Sequence, residues 1–141
     1  MTFLFDLDST LADDSHRSHL YNKSNTEEQW RYFYSLIPLD KPILPSIAIA
    51  KSLYQNGHTL VGITGRRESS RALTKKWLLH HAVFFDNLYM RAEKDFSSNA
   101  EFKRNALKEI RQHYVPIAVF EDNPSSAAMW KEEGLLVYHV R

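Results

Sequence analysis

A short apolar run near the amino end, Phe3-Leu4-Phe5-Asp6-Leu7-Asp8-Ser9-Thr10, ends in two aspartates one residue apart. Because side chains alternate along a strand, Asp6 and Asp8 can project together from its carboxyl end. Open α/β sheets bind ligands at that end of their strands. Two carboxylates so close repel each other unless one is protonated or a divalent cation lies between them. The run therefore predicts a buried strand that leads into a chemical site, the alternative being two aspartates that only cap a turn.

A second apolar run, Thr59–Ile63, is followed by the tripeptide Thr64-Gly65-Arg66. A hydroxyl and backbone amides can donate to phosphate oxygens, and glycine permits close approach of the backbone. The guanidinium of Arg66 can bind two oxygens at once. These residue types are suited to phosphate binding, although the tripeptide alone is also typical of an ordinary turn.

A third motif lies at the start of a predicted helix. Ser98 and Glu101 have the spacing of a capping box, and Lys103 follows near the helix amino end. The helix dipole disfavours a cation at that position, and a nearby anion would remove the conflict. The simpler alternative is a solvated lysine on an exposed helix face.

The fourth motif is Glu121-Asp122, which follows the apolar run Ile117–Phe120. Asn123 is a good N-cap and Pro124 suits the first helical position, so the two acids lie at a strand-to-helix junction. Two strand ends that carry hard oxygen ligands favour Mg²⁺. Zinc is not expected, because the chain has no cysteine and no histidine pair at ligand spacing beside these motifs.

The hydrophobic pattern alternates between strands and helices along the whole chain. Strands are predicted at 2–7, 58–64, 86–90, 117–121 and 135–139, and helices at about 27–37, 46–55, 70–81, 98–113 and 124–133. This order predicts an α/β fold, a Rossmann-like three-layer arrangement with a mainly parallel central sheet and helices on both faces. Residues 1–141 are expected to form a single domain.

The segment 13–44 is a small insertion near the expected site entrance, too short for a full cap domain. Its first part, 15–25, is polar and is predicted to be a loop that shapes the entrance. The second part carries apolar residues along one helical face: Trp30, Phe33, Tyr34 and Ile37. These side chains either pack against the sheet or provide one ring that stacks on a nucleobase.

Composition sets limits on partners and location. The 18 basic and 17 acidic residues nearly cancel, so no global field attracts a polyanion, but basic residues cluster between 66 and 111. No apolar run approaches the roughly 18 residues of a membrane span, and the absence of cysteine suits a reducing compartment. A cytoplasmic protein without membrane contact is therefore expected.

Taken together, the four motifs resemble in order those of the haloacid dehalogenase (HAD) superfamily of phosphohydrolases. Within it, the chain is most similar to the 3'-phosphatase domain of phage polynucleotide kinase, a likeness that extends to Trp77, Tyr89-Met90-Arg91 and Ala128-Met129-Trp130. The resemblance implies a HAD fold without a large cap domain.

The resemblance also implies roles for the acidic residues. Asp6 would be the nucleophile that forms an aspartyl-phosphate, and Asp8 the general acid that later activates water. Mg²⁺ would be held by the Asp6 carboxylate, the Asp8 backbone carbonyl and Asp122. Glu121 would be a further ligand, directly or through water.

The remaining motif residues would contact the substrate. Thr64, the Gly65 amide and Lys103 would hold the transferring phosphoryl oxygens. Arg66 and Arg91 are predicted to bind substrate at the edge of the site.

Three positions depart from the family pattern. Ser9 stands where glycine is usual, and Glu121 replaces the first aspartate of an acidic pair. Asn99 stands where kinase-phosphatase relatives often have an acid four residues before the lysine, and Asp95 is a candidate replacement.

The function implied is a magnesium-dependent phosphomonoester hydrolase that removes 3'-phosphates from nucleic-acid ends, with kinase or ligase activities on separate partner chains. Two alternatives stay open: a 5'- or 3'-nucleotidase for free nucleotides, and a catalytically silent HAD-fold binding module. An open groove flanked by Arg66, Arg67 and Arg91 would favour a polymer. An aromatic lid from Tyr21 or Trp30 would favour a nucleotide.

Overall fold

A five-stranded parallel sheet forms the centre of the computed structural model, which describes residues 1–141. Its strands are β1 (Thr2–Phe5), β4 (Thr59–Arg67), β5 (Asn87–Arg91), β6 (Pro116–Glu121) and β7 (Leu136–His139). They lie in the order β5-β4-β1-β6-β7, and every neighbouring pair is parallel. The predicted α/β fold with a parallel sheet is confirmed.

Helices connect the strands and cover the sheet. They are α1 (Ser15–Ser18), α2 (Glu27–Ser35), α3 (Leu44–Gln55), α4 (Arg71–His80), α5 (Asn99–Ile110) and α6 (Pro124–Glu132), with short 3₁₀ turns at Ile37–Leu39 and Glu68–Ser70. None of the helices combines the length and the apolar composition that a membrane span requires.

Two apolar cores, one on each face of the sheet, give the molecule three layers. The larger joins the sheet to α2, α3 and α4, and the smaller joins it to α5 and α6. Trp130 on α6 is fully buried in the smaller core. Because both faces are covered, the central strands are apolar throughout their length and polar only where they end.

Local signals fix where the helices that follow β5 and β6 begin. Ser98 Oγ accepts the Glu101 N–H at 3.2 Å, and the Glu101 carboxylate accepts the Ser98 N–H at 3.2 Å, which completes the capping box of α5. Asn123 Oδ1 accepts the Ser126 N–H at 3.0 Å at the start of α6. Both helices therefore start beside the carboxyl edge of the sheet.

The insertion at 13–44 is more ordered than the sequence predicts. A two-stranded antiparallel ladder, β2 (Ala12–Asp13) with β3 (Lys41–Pro42), closes its base. The prediction of a loop over 15–25 is wrong for Ser15–Ser18, which form α1. A four-residue helix has no readable periodicity, and this one is held by ion pairs of Arg17 to distant residues.

The aromatic face of α2 packs into the larger core. The helix ends at Ser35, before its predicted end at 37. All four residues predicted to line its apolar face are nevertheless buried: Trp30, Phe33 and Tyr34 in α2, and Ile37 in the 3₁₀ turn that follows. Trp30 and Tyr34 stack with ring centroids 5.7 Å apart. This finding agrees with the packing alternative, and it removes Trp30 as a lid over the site.

Gly62 in β4 is predicted to tolerate no side chain. A Cβ at this position would lie 2.7 Å from ring atoms of Phe85 and 2.8 Å from Leu88 Cδ1. Gly62→Ala should therefore lower the free energy of unfolding by about 1–3 kcal/mol, as overpacking does. Urea denaturation measures the loss, and in a Phe85→Ala background the cost of the same substitution should shrink. If Gly62→Ala lowered the free energy of unfolding equally with and without the Phe85 ring, contact with that ring would not be the source of the loss.

Candidate active site

The four predicted motifs converge at the carboxyl edge of the sheet. Asp6 follows β1, Thr64 lies in β4, and Glu121 ends β6, so three adjacent central strands deliver side chains to one place. They line a cavity of about 330 Å³. Sixteen residues form its wall: Asp6, Asp8, Ser9, Asp14, Ser18, Tyr21, Phe33, Tyr34, Thr64, Gly65, Arg66, Asn99, Lys103, Glu121, Asp122 and Asn123.

Lys103 is a buried basic side chain in the cavity wall, and it joins two of the carboxylates. Its Nζ lies 3.0 Å from Asp6 Oδ1 and 2.7 Å from Glu121 Oε2. Burial alone would lower the pKa of Lys103, but the Asp6 and Glu121 carboxylates outweigh burial and raise it well above its ordinary value. Lys103 is therefore a permanent buried cation and not a solvated surface lysine.

Glu121 is fully buried and its oxygens are already occupied. Besides Lys103, Glu121 Oε2 accepts the indole N–H of Trp130 at 3.0 Å, and Oε1 accepts the Asn123 N–H at 3.1 Å. Three donors to one carboxylate fix its position. This geometry suits Glu121 for orienting Lys103 better than for direct metal ligation.

Asp6 and Asp122 form the more accessible part of the acidic cluster. Oxygens of Asp6, Glu121 and Asp122 lie within 4.8 Å of one another, and the Thr10 hydroxyl lies 3.1 Å from Asp6 Oδ2 and 3.4 Å from Asp122 Oδ1. Burial raises the pKa of Asp6 well above its ordinary value, and the nearby anions add to it against the attraction of Lys103. Burial likewise raises the pKa of Asp122. Such a cluster is stabilised by a proton or a cation.

Asp8 lies on the opposite wall, between two buried arginines. Arg66 Nη2 lies 2.6 Å from Asp8 Oδ1, with Nε at 3.1 and 3.2 Å from its two oxygens. Arg17 Nη2 lies 3.3 Å from Asp8 Oδ1. Burial would raise the pKa of Asp8, but Arg66 and Arg17 outweigh it, so the pKa lies below its ordinary value. Asp8 is therefore ionised when no substrate is bound.

Asp40, in the insertion, contacts the same two arginines as Asp8. Arg17 Nε and Nη2 each lie 2.8 Å from an Asp40 oxygen, and Arg66 Nη2 lies 3.1 Å from Asp40 Oδ2. His16 Nε2 lies 2.7 Å from Asp40 Oδ1. Two arginines and two aspartates thus alternate around one ring of charge, in which Asp8 alone is partly exposed. Neither Arg17 nor Asp40 belongs to a sequence motif, and 23 residues separate them, so only the fold reveals their contact.

Arg66 and Arg91 are placed differently from the prediction that both are available for substrate. Arg66 is buried, and besides its contacts with Asp8 and Asp40 its Nη1 donates to Thr74 Oγ1 at 3.1 Å. Arg91 lies outside the main cavity and donates to the Ser97 carbonyl at 2.7 Å and to Asn99 Oδ1 at 2.8 Å. Arg66 is thus paired with two carboxylates, and Arg91 also lies 3.6 Å from an Asp95 carboxylate oxygen, so neither presents an uncompensated charge to a ligand.

The turn around Gly65 closes the cavity on the side of α5. Thr64 Oγ1 accepts the Arg66 N–H at 3.2 Å, and a Cβ on Gly65 would lie 2.8 Å from Asn99 Oδ1. Asn99 therefore contacts Gly65 and Arg91, whereas the hydrogen-bond partners of Lys103 are Asp6 and Glu121. Asp95 does not replace the missing acid, because its carboxylate accepts from Ser97 in an adjacent loop.

Ser9 has a backbone geometry that is typical of glycine, the usual residue at this position. Its φ is 61°, in the left-handed region that glycine adopts without strain. A tight turn follows, in which the amides of Thr10, Leu11 and Ala12 all donate to the Leu7 carbonyl. Serine thus keeps the turn at a cost of about 1 kcal/mol.

Comparison with known proteins identifies the family. The protein-family model described as "Polynucleotide kinase PNKP phosphatase domain" matches residues 1–141 of this chain. The chain belongs to this family. It is accordingly a phosphatase domain of the haloacid dehalogenase type, which does not favour the silent-module alternative. No curated protein sequence matches the chain.

Solved structures agree with this fold. Two chains from structures described as the Pnkp1/Rnl/Hen1 complex and the Pnkp1/Rnl/Hen1 RNA repair complex match 99% of this chain, with TM-scores of 0.78 and 0.80 and identities of 22% and 25%. This chain spans only 45% and 42% of theirs. A haloacid dehalogenase-like protein from Streptococcus pneumoniae matches 98% of this chain and 83% of its own at TM-score 0.70 and 17% identity. The class C acid phosphatase from Bacillus anthracis, with tungstate bound, matches 89% of this chain and 52% of its own at TM-score 0.68 and 18% identity.

Without metal, Asp6→Asn should be more stable than the wild type at neutral pH, and this difference should grow as the pH rises from acidic values. The folded-state pKa of Asp6 lies above its unfolded value of about 4, so the wild type loses stability as pH rises through that interval and the variant does not. Urea denaturation in EDTA at acidic and neutral pH measures the difference. Adding Mg²⁺ should stabilise the wild type more than the variant.

A matched control for this measurement is Asp13→Asn. Hydrogen bonds from Ser15 lower the pKa of Asp13, so its replacement should give no gain at neutral pH. If Asp6→Asn in EDTA at neutral pH proved less stable than the wild type, the attraction of Lys103 would outweigh the burial of Asp6.

Proposed function

We propose that this domain is a magnesium-dependent 3'-phosphatase for nucleic-acid ends that acts through an aspartyl-phosphate. The observation that carries the proposal is the position of Asp6 at the floor of the cavity, 3.0 Å from Lys103, in a chain of the polynucleotide kinase phosphatase family. The neighbours from RNA repair complexes add support for a nucleic-acid substrate.

In the first step, an Asp6 carboxylate oxygen attacks phosphorus and the bond from phosphorus to the leaving ribose oxygen breaks. Lys103 offsets negative charge on the phosphoryl oxygens, and the Thr64 hydroxyl and Gly65 amide can donate to them. Lys103 also keeps Asp6 oriented, because it contacts Oδ1 while Thr10 contacts Oδ2. Asp6, Lys103 and Thr64 are thus held by contacts within the domain before substrate arrives.

Asp8 transfers protons to and from the reacting oxygens. It must bring a proton to the leaving oxygen in the first step, although Arg66 and Arg17 hold it ionised in the free domain. A bound phosphate adds negative charge beside Asp8, which raises its pKa toward the range of a general acid. In the second step, the ionised Asp8 removes a proton from water, which attacks phosphorus and releases Asp6.

The donor set fits Mg²⁺. It offers hard oxygen ligands at the ends of two adjacent strands. The carboxylates of Asp6 and Asp122 also need a proton or a cation to offset their mutual repulsion. Those two carboxylates and the Asp8 backbone carbonyl would hold the ion, with Glu121 acting through Lys103 or a water. When bound, Mg²⁺ neutralises charge on the phosphoryl group.

The whole chain, 1–141, is proposed to act as one domain. Kinase and ligase activities would come from other domains or partner chains, since this chain spans less than half of the Pnkp1/Rnl/Hen1 chains that it matches. Its cytoplasmic location stays a prediction from the sequence.

A nucleotidase for free nucleotides is the second candidate. The observation that favours it is Tyr21, which lines the cavity and is 55% exposed, as an aromatic lid would be. The two candidates share their chemistry and differ only in whether substrate extends beyond one nucleotide.

The substrate preference is the first test. Phosphate release with Mg²⁺ should be fastest from a 3'-phosphorylated oligonucleotide, compared with a 5'-phosphorylated one and with free 3'- and 5'-nucleotides. Asp6→Asn should abolish turnover and keep the fold, as measured by circular dichroism. Preference for free nucleotides would favour the nucleotidase. Activity of Asp6→Asn within about tenfold of wild type would exclude Asp6 as nucleophile.

The second test concerns the ring of Asp8, Arg17, Asp40 and Arg66. Arg17→Met should lower the free energy of unfolding by about 3 kcal/mol, because the buried Asp40 loses its main partner. It should also lower kcat, because Asp8 is no longer oriented. The double variant Arg17→Met/Asp40→Leu should regain most of the stability but little of kcat. Recovery of both together would mean that the ring has only a structural role.

A further inference from the structure

A second, smaller groove opens beside the active site, and we call it the side groove. Its lining residues are Tyr21, Lys23, Trp30, Tyr34, Gly65, Arg67, Arg91, Asp95, Phe96 and Ser97. Tyr21, Tyr34 and Gly65 also line the main cavity, so the two depressions share a wall. Whatever leaves the main cavity past Gly65 enters the side groove.

Arg67 is the cation of the side groove. Its guanidinium carbon lies 4.3 Å from the centre of the Trp30 ring and 5.6 Å from that of Phe96, and its Nη1 donates to the Glu93 carbonyl at 3.3 Å. No carboxylate forms an ion pair with it, whereas Arg66 next to it has two such partners. The charge of Arg67 is therefore left for an anion from outside.

Phe96 is the exposed aromatic of the side groove, with 71% of its surface accessible. Its loop is held in place, because Arg91 donates to the carbonyls of Asp95 and Ser97 on either side of it, at 3.2 and 2.7 Å. Apart from its contact with Arg67, packing within the domain leaves the Phe96 ring exposed on this anchored loop. A flat ligand that stacks on the ring would explain it.

We propose that the side groove binds the terminal nucleoside of a 3'-phosphorylated strand, with its base on Phe96 and its 5'-side phosphate facing Arg67. This inference rests on the proposed function, since the 3'-phosphate is placed at Asp6. Thr64 and Arg67 lie on the same strand, β4, with Thr64 in the wall of the main cavity and Arg67 in that of the side groove, so this strand joins the two depressions. Lys23 adds a second cation for the strand as it leaves.

Stacking on a ring favours any base, because every base has a π-face. The side groove would therefore recognise that a nucleoside is present without reading its identity. It would also separate polymer ends from small phosphate esters, which reach Asp6 but not Phe96.

The experiment compares Phe96→Ala with wild type on three substrates: p-nitrophenyl phosphate, a single-stranded DNA with a 3'-phosphate, and the same DNA with an abasic 3'-terminal residue. With Phe96→Ala, KM for the normal DNA should rise about tenfold, the size of one base–aromatic contact. The abasic DNA and p-nitrophenyl phosphate should show little change. Phe96→Trp should restore the wild-type KM, and Phe96→Leu should not.

Tyr32→Ala is the matched control, because Tyr32 is also an exposed aromatic but lines neither depression. It should leave all three substrates unchanged. Unchanged hydrolysis of p-nitrophenyl phosphate by Phe96→Ala would also prove that its catalytic site is folded.

The results separate the inference from the proposed function. Equal KM changes for normal and abasic DNA, or no change for either, would overturn base stacking while the 3'-phosphatase activity of the wild type stands. Hydrolysis of p-nitrophenyl phosphate by a wild type that releases nothing from 3'-phosphorylated DNA would overturn both. Restoration by Phe96→Leu would replace stacking with simple apolar contact and so overturn the inference as stated.

Discussion

The buried contact of Lys103 with Asp6 and Glu121 is the interaction on which the rest of the site depends. A buried charge costs several kcal/mol unless it is paired and hydrogen-bonded, and here one cation serves two carboxylates from different strands. The contact joins α5 to the ends of β1 and β6. It makes the position of Asp6 a consequence of the fold, since moving any one of these elements would leave a charge unpaired.

A second set of charges connects the insertion to the same edge of the sheet. Arg17 and Asp40 come from the insertion, whereas Asp8 and Arg66 come from motif segments. The insertion therefore does more than cover the entrance: it supplies half of the ring that holds Asp8. The ring also keeps Asp8 ionised in the free domain, although Asp8 must carry a proton to act as general acid. The charge of a bound phosphate is therefore needed to raise the pKa of Asp8.

The two walls of the cavity thus have opposite character. Around Asp6 and Asp122, burial first and neighbouring carboxylates second raise the pKa values, which favours a bound cation. Around Asp8, arginines balance the carboxylates and the pKa falls. A phosphate monoester between them meets a metal-binding side and a proton-transfer side. The side groove extends this arrangement outward, where Arg67 is free of acidic partners and the ring of Phe96 is exposed.

The sequence by itself determined the order of the five sheet strands and of the longer helices, the parallel sheet, and the positions of Asp6, Lys103 and Glu121 at strand or helix ends. Those features follow from short-range patterns: apolar runs, capping boxes and polar residues where strands stop. The tertiary structure alone decided which charged groups meet. Arg66 turns to carboxylates and Arg91 to loop carbonyls, and Arg17 finds Asp40 across 23 residues. No local pattern specifies such partners, because an arginine side chain is long and binds the nearest acceptor that folding brings to it.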